Sequence, residues 1–143
     1  MKKFLYLIAI IVLGYGLEQL DNASLSSDLP NAQLTGSTVQ SAYNNKQSDI
    51  QVQGTGIVSR ILADDNKGSR HQKFILKFNN LSLLIAHNID LAPKINSLNT
   101  GDSVEFYGEY EWNTKGGIVH WTHHDPAGRH VNGWLKHKSK TYQ

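Results

Sequence analysis

The sequence predicts an all-β fold, a small five-stranded Greek-key barrel of the OB-like kind with a short helix between strands three and four. Three observations predict it: short β-prone runs that alternate apolar and polar residues, turn clusters between them, and one helix-spaced stretch after the third run. Residues 50–62 form the first run, and Gly54 and Gly56 inside it predict a bulge or sharp coil that lets one strand serve both halves of a barrel. Residues 64–69 are a turn cluster. In residues 71–78, Phe74, Leu76 and Phe78 fall on one face and His71, Lys73 and Lys77 on the other. Asn79 and Asn80 turn the chain into a nearly continuous apolar run over 81–87. Between 88 and 98, Ile89, Leu91, Ile95 and Leu98 have a spacing closer to helical than alternating, with Pro93 suited to a first turn and Gly101 after the end. Residues 102–112 alternate again, with Val104, Phe106, Gly108, Tyr110 and Trp112 inward and Glu105, Tyr107, Glu109 and Glu111 outward. Lys115, Gly116 and Gly117 turn a hairpin into 118–124. Core parity asks Val119 and Trp121 to share the inner face with Tyr110 and Trp112, which only an even-length connection allows. His120 is then outside, beside Glu109 or Glu111.

The 143 residues leave room for one core, in a domain over 50–143. Residues 24–49 are mostly Ser, Asn, Gln, Asp and Gly with scattered apolar positions, which predicts a flexible polar linker. Residues 1–23 read as a signal peptide or N-terminal anchor. Lys2 and Lys3 precede an apolar run over 4–13 that is short for a bilayer span, and Gly14 and Gly16 or 21–23 offer cleavage patterns. Export to the periplasm or the extracellular space is expected, without stable membrane insertion once the leader is removed; a retained anchor extended through Leu17 is the alternative. The absence of cysteine excludes disulfides, thiolate zinc sites, a cysteine nucleophile and lipobox attachment. The net charge of +2, two of whose lysines belong to the leader, gives no strong drive toward nucleic acid or anionic membrane.

The strings 70–76, 84–93, 108–112 and 120–126 resemble a family of small exported bacterial proteins classed as a domain of unknown function. The resemblance covers 52–143 and supports the domain boundary and export. It implies no activity.

Histidine is the compositional anomaly. Of seven, at positions 71, 87, 120, 123, 124, 130 and 137, five fall in the last quarter of the chain. His120, His123, His124, Asp125 and His130 lie within eleven residues and form a candidate metal set, since neutral imidazole is the commonest ligand for zinc, copper and nickel. A second version joins Glu109 and Glu111 to His120, either completing a metal shell or doing general acid–base work. Ordinary cross-strand pairing on a solvent face accounts for the same residues. His87 closes the third strand, and Asn88 or Asp90 suits an N-cap.

Arg70, His71, Lys73 and Lys77 make a small basic strip on the strand that commonly faces oligonucleotide or oligosaccharide in such barrels. The basic tail over 128–143 interleaves Trp134 and Lys136 among further cations, a pattern for single-strand binding or for covering a barrel end. Two functions follow. One is a module binding single-stranded nucleic acid or another polyanion through Arg70, His71, Lys73, Lys77, Trp134 and Lys136. The other is a metal-assisted hydrolase, a nuclease or phosphodiesterase, with a divalent metal such as zinc. No Gly-x-Ser-x-Gly elbow, P-loop or His-Glu-x-x-His motif is present. The pattern specifies no oligomeric state.

Overall fold

A computed structural model describes residues 31–143; the leader segment 1–23 lies outside the described residues. The chain forms α1 (Asn31–Asn44), then β1 (Ile50–Ile61), β2 (His71–Phe78), β3 (Leu81–Asn88), β4 (Ser103–Glu111), β5 (Ile118–His120), β6 (Trp134–His137) and β7 (Lys140–Tyr142). The sheet order is β1-β2-β3-β5-β4-β6-β7, and β1 also pairs with β4, so the first five strands close into a barrel. β3 and β5 run parallel while the other pairs are antiparallel. This is the Greek-key closure of an OB-like barrel. β6 and β7 extend the wall beyond β4.

Strand alternation builds the core. Phe74 and Leu76 of β2, Leu83 and Ile85 of β3, Val104, Phe106 and Tyr110 of β4 and Val119 of β5 are buried together, and the tail adds Leu135 and Tyr142. β1 bends to pair with β4 through its first half and with β2 through its second, with the register shifting between Val58 and Arg60. The irregularity falls at Ser59, not at the glycines. Gly54 serves close packing instead: a Cβ there would lie 2.7 Å from Phe78 and 2.8 Å from Phe106.

Three expectations are corrected. The first concerns the helix, which precedes β1; the connection from β3 to β4 is a series of turns. Its backbone is satisfied by a side chain, since Gln72 donates to the Ile95 carbonyl and accepts from the Ile95 N–H, each at 2.9 Å. Ala92, Ile95 and Leu98 are buried, and the Ala92 N–H donates to the Asn88 carbonyl at 3.2 Å in a single turn that does not continue as a helix. Secondly, the segment expected as a flexible linker carries α1, whose Val39 and Ala42 are buried in the core. The indole N–H of Trp112 donates to the Tyr43 carbonyl at 3.1 Å, and the Trp112 amide donates to Ser48 Oγ at 3.0 Å. Finally, Trp121 is not inward. β5 ends at His120, and Trp121 has a φ of 53°, which breaks the alternation and buries Thr122 and His123 in its place.

Candidate functional site

The outer face of β4 carries Glu109 and Glu111, because Phe106, Gly108 and Tyr110 take the inner positions. The connection 112–117 is even in length, so Glu109 pairs with His120, Tyr110 with Val119 and Glu111 with Ile118. His120 therefore stands outside between the two acids, as parity required. Gly108 allows this close approach: a Cβ there would meet the His120 carbonyl at 2.4 Å.

One ligand atom from each of Glu109, Glu111 and His120 lies within 4.8 Å of the others. His120 Nε2 is 3.5 Å from Glu111 Oε1, and it is buried without a hydrogen-bond partner. That spacing is at the outer limit of a hydrogen bond and close to the ~3.4 Å edge of a tetrahedral zinc shell with bonds of about 2.1 Å. Loss of water around Glu111 raises its pKa, and the hydrogen bond and negative charge of Asp49 push the same way, while His120 opposes them. A cation or a proton is what such a cluster of carboxylates calls for.

His130 reaches the same acids from the loop 121–133. Asp125 shapes that loop by accepting from the backbone N–H groups of Ala127 at 2.9 Å and of Arg129 and His130 at 2.8 Å each. These bonds, Ala127's first, hold its carboxyl below the usual range. The His130 ring stacks on Trp121 with centroids 4.0 Å apart and planes 8° apart. Its Nδ1 donates to the Val131 carbonyl at 2.9 Å, and its Nε2 meets Glu109 Oε2. Both partners can accept, an arrangement that favours the doubly protonated ring. Burial is the largest influence and opposes that charge, but the Val131 and Glu109 hydrogen bonds together raise the pKa.

The five-membered set His120, His123, His124, Asp125 and His130 is not brought to one point. Only His120 and His130 reach the acids. His123 is buried with Nδ1 donating to the His124 carbonyl at 2.7 Å, His124 is exposed, and Asp125 spends its oxygens on backbone.

The basic residues divide as well. Arg70 is held by Asp90 through Nε at 2.7 Å and through its backbone N–H at 2.8 Å. His71 and Lys73 do approach the acidic cluster: with Asp65, Ala86, Glu111, Ile118 and His120 they line a groove of about 260 Å³. Lys77 lies further along β2. Trp134 and Lys136 sit on β6 opposite Tyr107 and Glu105, separated from β2 by β1 and β4 the short way round the barrel. The strip and the tail are therefore on different walls.

Asp49, and the burial and partners of His87 and His137, escaped the sequence reading. Asp49 joins the cluster through the β1–β4 pairing, and no local pattern marks it. His87 is fully buried, with Nδ1 2.8 Å from Thr122 Oγ1 and Nε2 3.1 Å from the Pro93 carbonyl. His137, also buried, bonds Asp102 Oδ2 at 2.8 Å. The inward parity of positions 87 and 137 on their strands was the available signal for both histidines.

The molecule is thus a closed five-stranded β-barrel with a histidine–glutamate cluster on its outer wall. The chain belongs to the family described as "Protein of unknown function (DUF3465)", whose model matches residues 23–143. Among curated proteins none matches the chain.

Proposed function

We propose that this protein binds a divalent cation through Glu109, Glu111 and His120 and uses it to hydrolyse phosphate esters seated in the adjoining groove. The observation that carries the reading is the convergence of two carboxylates and an unpartnered imidazole nitrogen within 4.8 Å. Two glutamates offset the charge of a divalent ion, and three protein ligands leave a position open for water. A bound metal lowers the pKa of that water toward neutrality. Water activated there would attack phosphorus and give up its proton to solvent, while the P–O bond to the leaving group breaks and the leaving oxygen takes up a proton. Lys73, across the groove from the acids, supplies positive charge for the phosphoryl oxygens, and His71 lies beside it. The basic and apolar start of the chain supports export, which cell fractionation tests.

Elemental analysis of untagged protein and titration with zinc and manganese decide the metal. About one equivalent is expected, together with metal-dependent turnover of bis(p-nitrophenyl) phosphate and at least a tenfold loss of metal affinity in Glu111→Gln. Metal far below one equivalent, with no rise in melting temperature on adding zinc, manganese or nickel, removes the proposal.

A further inference from the structure

A second groove runs along the outer face of β2 and β3, away from the acidic cluster. It measures about 520 Å³ and is lined by Ser59, Arg60, Leu62, Ile75, Lys77, Ser82, Leu84, Asn113, Lys115 and Gly117. Its floor is aliphatic, because Ile75 and Leu84 are cross-strand partners whose side chains fall on the outer face. Its rim is cationic. Arg60, Lys77 and Lys115 are exposed, no acid lines the groove, and none of the three is ion-paired with a described carboxylate.

The groove does not stop there. Lys73 pairs with Ala86 one outward step along from the Ile75–Leu84 pair, and Ile118 neighbours Leu84 across the β3–β5 ladder. Lys73, Ala86 and Ile118 line the first groove, so one apolar strip connects the two. Lys73 likewise makes no ion pair with a described carboxylate. Four free cations thus follow the strip, with Lys73 and Lys77 about 13 Å apart along β2 at the usual rise per residue.

We infer that this strip binds single-stranded nucleic acid, with Arg60, Lys73, Lys77 and Lys115 on successive phosphates and the bases laid against Ile75, Leu84 and Ile118. Charge complementarity selects a polyanion, because cations spaced along a groove match a chain of charges better than a single headgroup. An aliphatic floor flanked by cations suits a polymer that alternates phosphates with flat, weakly polar rings. Aromatic stacking contributes nothing within this groove, so sequence preference is expected to be slight and affinity mainly electrostatic. The inference does not need the metal, since none of these four cations is among the proposed metal ligands; it shares only Lys73 with the phosphate-ester groove, and Arg60, Lys77 and Lys115 belong to the second groove alone.

The test is binding of a fluorescent oligothymidylate of about 20 nucleotides, followed by anisotropy in the presence of chelator, so that metal chemistry plays no part. Four phosphate contacts predict a slope of log K against log salt near −3 and a loss of about 50-fold in affinity between 50 and 200 mM salt. Lys77→Ala with Lys115→Ala is expected to bring the slope near −1.5 while leaving the melting temperature unchanged, both side chains being exposed. No saturable binding at low salt, an unchanged slope in the double variant, or capture by phosphatidylglycerol vesicles without oligonucleotide binding overturns the inference. Loss of phosphodiester turnover with oligonucleotide binding intact would instead count against the metal reading alone.

Discussion

Two histidines show how position sets protonation. Burial of His87 lowers its pKa to about 4, outweighing the hydrogen bond to Pro93. The unfolded chain, with an imidazole pKa near 6.5, takes up this proton first as pH falls. Stability from keeping His87 neutral is therefore complete above about pH 6.5 and is lost as pH approaches 4, a change on the order of 3 kcal/mol. Urea denaturation across that range is expected to show the loss, and His87→Leu to reduce the slope by about one proton. His130 works in the opposite sense. Its raised pKa keeps an imidazolium on Glu109, where it competes with any cation for the same oxygens. On the metal reading, His130→Gln is expected to flatten the decline of zinc affinity as pH falls, measured by calorimetry. Glu109, Glu111 and His120 could be placed together from sequence because side-chain period and loop parity are local rules. His130 could not be placed against Glu109, because an irregular loop held by Asp125 obeys neither rule.

At the level of elements, the strands were legible and the connections were not. Phe74, Leu76, Phe78, Val104, Phe106 and Tyr110 alternate in sequence and are buried in the structure. α1 was hidden by its polarity, yet Val39, Ala42 and Tyr43 follow the spacing of a narrow helical stripe. Three apolar positions suffice when the partner surface is already a barrel. Val39→Ala is expected to cost about 2 kcal/mol, read from the shift in urea midpoint, whereas a true tether would show no change. The stretch over 88–98 misled in the other direction. Ile89, Leu91, Ile95 and Leu98 are spaced like a helix, but Gln72 takes both backbone groups of Ile95 and His87 meets the Pro93 carbonyl. Long-range side-chain bonds replaced the local ladder that the spacing implied.

For the whole molecule, folding determines what a cation can do to stability. Glu109 and Glu111 come from β4 and His120 from β5, so the three candidate ligands meet only where that hairpin is paired. A metal binding there stabilises the native state alone, by about 2.7 kcal/mol at a hundredfold excess over Kd. A rise in melting temperature that grows with zinc concentration and disappears in His120→Ala is the expected signature. β4 also explains why the barrel and the tail form one structure. One side of it pairs with β1, and the other is divided between β5 at 109–111 and β6 at 104–107.

The loop that delivers His130 leaves from β5 and returns at β6, and both of those strands are fastened to the same side of β4. Its two ends are held close together whatever lies between them, as the Gly133 N–H to His123 carbonyl bond of 2.9 Å illustrates. Changes in its exposed middle would alter what overhangs the two glutamates, while the buried Thr122 and His123 at its start keep it fastened to the barrel beneath.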